Sequence, residues 1–263
     1  MDKIETLKQN IEKFIAARDE KISLVFLDLK NNSNYIYINE KETFPSASTI
    51  KVLIMAETLN EVMKGRLNLH EKIEVKNSDK VDYSIITCLE NNTYTLLDVL
   101  TLMIISSDNT ATNILIDLIG MEKINKYADE ISLKNTRLRR KMMDIKAAKE
   151  GRENITSAFD MLSLFEKIYK HKILNSDMCK LMIKILNENT DYEMLLRYLP
   201  NDIKCAHKTG DLDNLNHDIG IFNIKDKHYI LGVFVRNSEF NYISKDIIGK
   251  LSKLVYMDVE KVI

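Results

Sequence analysis

A serine becomes a nucleophile only when a neighbouring group can take its proton, and Ser48 has such a neighbour in Lys51. Three positions apart at the start of an apolar run, the two side chains fall on one helix face, within hydrogen-bonding reach. A lysine serves as the base once burial and a nearby cation lower its pKa. The free N–H groups of a helix's first turn also favour negative charge forming beside Ser48. The chemistry such a pair supports is acyl transfer through a serine ester.

Two further clusters could take part. Ser107-Asp108-Asn109 occupies the break between two apolar helical runs, a place from which side chains reach a cleft. Lys208-Thr209-Gly210 stands at the end of a predicted strand. Each has an ordinary explanation when taken alone. Ser48 could be a capping serine beside a solvated Lys51, and Ser, Asp and Asn are common helix caps. Lys208 could be an edge-strand lysine followed by a turn glycine. The combination carries more weight, because S-x-x-K, S-D-N and K-T-G each occur once, in this order, on a helix start, an interhelical turn and a strand.

The elements that must position these groups follow from periodicity. Ile4, Leu7, Ile11, Phe14 and Ile15 predict an amphipathic helix over 3–18. Strands are predicted over Ile22 to Leu29 and Tyr35 to Asn39, turning at Asn31-Asn32. The run from Ser48 to Met63 is apolar nearly all round, which predicts a buried central helix stopped by Gly65. Thr95-x-x-Asp98 opens the next helix as a capping box, and a further one spans about 110–119 before Gly120. Helices are also predicted near 157–170, 176–188 and 190–199, the last opened by Thr190-x-x-Glu193. Strands return over Cys205 to Lys208, His217 to Asn223 and Tyr229 to Val235, and a closing helix covers about 243–258.

Strands at both ends with helices between them imply an α+β fold: an antiparallel sheet built from both termini and flanked by helices, plus an inserted all-helical domain. The expected division is an α/β domain of residues 1–45 and 200–263 and a helical domain of 46–199, with the site in the cleft between them.

With 38 basic and 39 acidic residues in 263, no global field draws the chain to nucleic acid or to an anionic membrane. No apolar run reaches the ~18 residues of a membrane span. The three cysteines, Cys88, Cys179 and Cys205, lack metal-ligand spacing and are read as core thiols. The amino-terminal stretch lacks the pattern of a secretory signal, so the chain is expected to be cytoplasmic or already trimmed. His207 and His217 flank Lys208 without a partner at fixed spacing and receive no role. A monomer is expected.

Over essentially its full length the chain resembles the class A β-lactamases and penicillin-binding proteins, for which the same motif set is diagnostic. Phe44-Pro45-Ser46-Ala47-Ser48-Thr49-Ile50-Lys51 resembles their nucleophile segment, Ser107 to Asn113 their second motif with its helix, and Asp218-Ile219-Gly220-Ile221 the strand after K-T-G. The resemblance implies that Ser48 attacks a lactam carbonyl while Lys51 accepts and relays its proton. Ser107 and Lys208 would shuttle protons towards the leaving nitrogen and recognise the substrate carboxylate. Asn109 would bind the side-chain amide and Thr209 would contact the carboxylate, with Gly210 and Asp211 also in the substrate-binding set. The N–H groups of Ser48 and Asp211 would form an oxyanion hole, whose loss typically costs ~3 kcal/mol.

Two departures matter. Reading Thr136-Arg137-Leu138-Arg139-Arg140 against the family pattern places Met142 where a glutamate activates the deacylating water. A thioether cannot act as a base; Asp144 and Glu153, in the same loop, are the substitute candidates, with Glu150 nearby. Asp211, directly after the glycine, would repel an anionic substrate. The expected activity is a cofactor-free serine β-lactam hydrolase acting on a small β-lactam or acyl-peptide-like substrate. The alternatives are a penicillin-binding sensor that acylates and stalls, and a related serine peptidase or esterase.

Overall fold

The computed structural model describes residues 3–260. A five-stranded antiparallel sheet forms in the order β2-β1-β9-β8-β7, from β1 (Lys21–Asp28), β2 (Tyr35–Ile38), β7 (Cys205–Leu212), β8 (Leu215–Ile224) and β9 (Lys227–Arg236). Both termini therefore supply strands to one sheet, and β7 is a free edge. Side chains alternate across it. Leu24, Phe26, Phe222, Leu231 and Val233 face α1 (Lys3–Ala16) and α9 (Asn241–Glu260), with Leu7, Ile11, Ile248 and Leu251 completing that core. Val25, Leu27, Ile219, Ile221, Ile230 and Phe234 belong to the larger core on the other face. Burial on both faces explains why β9 reads as a nearly continuous apolar run.

The larger core is built around α2 (Lys51–Met63), every residue of which from Lys51 to Glu61 is buried. It contacts α3 (Leu96–Ile105), α4 (Asn109–Ile119), α5 (Met121–Glu130) and α8 (Ser176–Asn187). Each apolar side chain it removes from water contributes ~1.5–3 kcal/mol, and this packing outweighs local propensity. Gly65, at φ 72°, follows the helix in the left-handed conformation expected of a stop. The Thr95–Asp98 capping box forms as read.

Several expectations are corrected. No helix forms over 190–199. Thr190 instead donates through its N–H and Oγ1 to Ile105 O (3.0 and 2.9 Å), and Leu195 N–H donates to Asp218 Oδ2 at 3.0 Å. Tertiary acceptors thus take the groups a helix ladder would need. α5 was not foreseen, nor was the short α6 (Ile145–Lys149). Two small ribbons, β3 (Thr43–Pro45) with β6 (Ile155–Ser157) and β4 (Lys72–Glu74) with β5 (Thr93–Thr95), interrupt the helical middle. α7 (Ala158–Tyr169) packs on the sheet. Cys88 is exposed rather than a core thiol, while Cys179 and Cys205 are buried. Among the described residues, no helix is long and apolar enough to cross a membrane.

Candidate active site

The nucleophile segment enters from β3, turns through a 3-10 helix at Ala47–Ile50 and continues into α2. Ala47 adopts a left-handed φ of 45°. Ser46 N–H donates to Asn154 O at 2.8 Å, which fixes this turn to the loop ahead of β6. Lys51 is completely buried, but its recorded bonds do not go to Ser48. Its Nζ donates to Ser107 O (2.7 Å), Ser107 Oγ (3.1 Å) and Asn109 Oδ1 (2.9 Å). The first two motifs are thereby wired together through one amine. Burial, followed by the charge of Lys208, holds the Lys51 pKa well below its ordinary value, with Asp108 pulling the other way.

Ser107 lies between α3 and α4 at φ 56°. Asp108 caps α4, accepting from Ala111 N–H at 2.8 Å, and its other oxygen accepts from Ile86 N–H at 2.9 Å. Asn109 is held by the loop above it: its N–H donates to Tyr83 O (3.3 Å) and its Nδ2 to Asp82 O (3.2 Å). Tyr83 is 81% exposed and also left-handed, at φ 57°. Each such non-glycine residue costs roughly 1–3 kcal/mol, and strain of this kind concentrates at functional sites.

The third motif is not at a strand end. β7 continues through Lys208-Thr209-Gly210 to Leu212, so Gly210 is a mid-strand residue. Its missing side chain allows a close approach: a Cβ there would lie 2.9 Å from Ala47 Cβ and 3.3 Å from both Ser46 O and Ser48 N. The edge strand thus touches the nucleophile turn. Lys208 is buried, donates to Thr209 O at 3.0 Å, and is pushed by burial down to about 8 against the pull of Asp191 and Asp218. Thr209 is likewise buried. Asp211 does not carry a free charge. Its oxygens meet Lys245 Nζ at 3.1 Å and Asn241 Nδ2 at 2.7 Å on α9, which offsets the expected repulsion.

The loop from 136 to 157 closes on itself. Arg137 bridges Ile155, Asn154 Oδ1 accepts from Arg139 and Arg140 N–H (2.6 and 3.0 Å), and Thr136 bonds Thr156. Met142 is clamped to α4: its N–H donates to Asn113 Oδ1 at 2.8 Å and its carbonyl accepts from Asn113 Nδ2 at 3.1 Å. Asn113 is one helical turn beyond Asn109, so Met142 sits beside the group that holds Lys51. Met143 follows at φ 63°. Asp144 caps α6, accepting from Ala147 N–H at 2.9 Å. Glu153 is held by Arg140 through Nε (2.9 Å) and Nη2 (3.1 Å). Neither bonds Ser48, Lys51 or Asn109 among the described residues. Glu150 pairs with Arg152 at 2.6 Å.

Sequence reasoning missed Asn113, Asn154, Tyr83 and both histidines. His207 is buried against Asp218 (2.9 Å), and His217 lies behind the nucleophile turn. The only signals were that Asn113 lies one turn beyond Asn109 and that Asn154 directly follows Glu153. No described group of His, Cys, Asp and Glu could hold a metal ion.

Residues 6–259 match the model of the β-lactamase enzyme family. The chain belongs to that family. β-Lactamase CARB-3 of Pseudomonas aeruginosa is 26% identical over 212 residues, spanning 79% of this chain and 73% of that protein. Among solved structures, PBP-A superposes with a TM-score of 0.88 at 28% identity, covering 97% of this chain and 96% of the other. A mutant of PBP-A, held as its acyl-enzyme complex with penicillin G, gives 0.89 at 27% identity over 98% and 97% of the two chains. The fold is that of the β-lactamases and penicillin-binding proteins, as the three motifs implied.

Proposed function

We propose that this chain is a serine β-lactam hydrolase working through an acyl-enzyme on Ser48. The observation that carries the reading is the buried Lys51 amine, bonded to Ser107 and Asn109 at the start of the helix that the Ser48 turn leads into. With its pKa lowered by burial, Lys51 loses a proton and accepts the one released as Ser48 Oγ attacks the lactam carbonyl. The N–H groups of Ser48 and Asp211 take the negative charge on the former carbonyl oxygen. Collapse breaks the C–N bond. Ser107 Oγ gives its proton to the departing nitrogen and is refilled from Lys51, 3.1 Å away. Lys208, cationic below about pH 8, and Thr209 receive the substrate carboxylate, while Asn109 takes the side-chain amide.

Release is a separate step, because water must attack the Ser48 ester and needs a base. Met142 supplies none, and Asp144 and Glu153 are engaged elsewhere. This observation favours a second reading in which the adduct forms and persists. Intact mass and turnover, followed together with penicillin and a chromogenic cephalosporin, separate the two. The hydrolase reading expects a transient adduct, absent from Ser48→Ala, with turnover. A stable adduct without turnover establishes the second reading, and failure of both alongside cleavage of a simple ester points to an esterase.

A further inference from the structure

An oxyanion hole built from Ser48 and Asp211 draws its two donors from segments far apart in the chain. Their spacing is set where the nucleophile turn meets β7. One contact there is the bare face of Gly210. The neighbouring strand β8 adds a second contact through His217. This histidine is the direct cross-strand partner of Gly210, so both side-chain positions lie on the same sheet face. The His217 ring is fully buried and packs against both Phe44 and Phe234, at centroid distances of 4.9 and 5.2 Å, the three rings forming a cluster, and its Nε2 lies 3.0 Å from Pro45 O. Pro45 is the last residue of β3, three positions before Ser48.

We propose that His217 is a positioning residue for acylation: its Nε2–H donates to Pro45 O and clips the segment leading into the nucleophile turn to β8, the strand paired with the K-T-G strand, so that the Ser48 and Asp211 N–H groups converge on one oxygen. The proposal rests on the acyl-enzyme reading given above. Burial lowers the His217 pKa to about 4, so the ring is neutral near pH 7 and carries one N–H. Two carbonyls compete for it, since Nδ1 lies 2.7 Å from Asn216 O. Asn216, however, belongs to a central strand, where it pairs with Val235 of β9. A carbonyl in that position has a ladder donor available. Pro45 O sits at a strand end, where the imidazole provides a bond that joins two segments.

The test uses His217→Phe, which keeps an aromatic ring against Phe44 and Phe234 but removes the donor, and His217→Gln, whose amide nitrogen can replace Nε2–H. Three quantities are read near pH 7: the acylation rate constant, the dissociation constant of the complex before acylation, and the affinity of an acylaminomethyl boronic acid, whose tetrahedral adduct places an oxygen in the hole. Urea unfolding gives the folded fraction used to correct all three. The Phe variant is expected to acylate at least tenfold more slowly and to lose boronate affinity in parallel. Its initial binding should stay within threefold, and Gln should recover most of the loss. Acylation by the Phe variant within threefold of wild type overturns the proposal, as does a loss that Gln does not recover. If wild type is acylated by no β-lactam, the functional reading fails by itself. Amide hydrogen exchange then decides the clip: at least tenfold faster exchange confined to 46–50 in the Phe variant upholds it, and unchanged exchange refutes it.

Discussion

Replacing Gly210 by alanine tests whether the distance between β7 and the nucleophile turn governs acylation. The added Cβ would stand 2.9 Å from Ala47 Cβ and 3.3 Å from Ser48 N. Carbon atoms pack comfortably at ~3.5–4.0 Å, so the contact is short by about 0.6–1 Å. Neither partner yields easily. β7 is paired with β8 from Cys205 to Leu212, and the turn is held by the Ser46 N–H bond to Asn154 O at 2.8 Å and by the left-handed Ala47. The relief must therefore come as a relative shift of the two segments that carry Ser48 and Asp211. A displacement of ~1 Å at reacting groups can cost ~100-fold in rate, equivalent to about 2.7 kcal/mol of barrier. Overpacking should cost ~1–3 kcal/mol of stability, offset by ~0.4–1 kcal/mol from the stiffer unfolded chain. Single-turnover acylation by a chromogenic cephalosporin, corrected for the folded fraction from urea unfolding, measures the effect. A Gly210→Ala protein that acylates within threefold of wild type would refute the reasoning.

Four other outcomes are expected. Met142→Glu should shorten the lifetime of the penicillin adduct, followed by intact mass, by ~100-fold or more, because a general base contributes ~10²–10⁴. Asp144→Asn and Glu153→Gln should each leave steady-state turnover within about twofold, since one carboxylate caps α6 and the other is forked on Arg140; a tenfold loss in either would identify a substitute base. His217 has a folded pKa of about 4, below its ordinary 6.5, so its neutral form stabilises the protein at neutral pH. That contribution, ~3 kcal/mol at most, is lost as pH falls from 6.5 to 4. Urea titrations should show wild type losing that much more stability than His217→Phe across this window. Lys208 titrates near 8, so the KM of a carboxylate-bearing substrate should rise as pH passes through that value, and should not for an esterified analogue.

The sequence reveals the site where contacts are local and loses it where they are long-range. The three-residue spacing of Ser48 and Lys51 marked the start of the buried helix, but the hydrogen bonds of Lys51 go elsewhere. The actual partners of the Lys51 amine, Ser107 and Asn109, come from a break between two other helices, and only the motif order pointed there. The capping pattern Thr190-x-x-Glu193 misled because Ile105 O and Asp218 lie within reach of that segment in three dimensions. Gly210 read as a turn residue, although the strand runs past it; what demands glycine is Ala47 arriving from another element. α5 has a clear amphipathic period, with Ile124, Tyr127 and Ala128 buried on one face, but it begins directly after Gly120, and reading that glycine only as a stop hid the helix it opens. The strands from the two ends of the chain, by contrast, announced themselves through short apolar and aromatic runs such as Ile22 to Leu29 and Tyr229 to Val235, which need no partner to be recognised.

The clamp on Met142 bears on how such a site changes its output. Asn113 holds the N–H and the carbonyl of residue 142, and neither bond involves the side chain. Asn154, Arg137 and Thr136 close the rest of the loop in the same way, through main chain or through residues other than 142. A different side chain at 142 therefore enters a backbone frame that is already fixed. Ser48, Lys51, Ser107 and Lys208 stand on the nucleophile turn, α2, the α3–α4 turn and β7, whereas the Met142 side chain is buried in the larger core. On the acyl-enzyme reading, the side chain at 142 is expected to govern how long the Ser48 ester lasts, and Met142→Glu tests that expectation while leaving the three motifs unchanged.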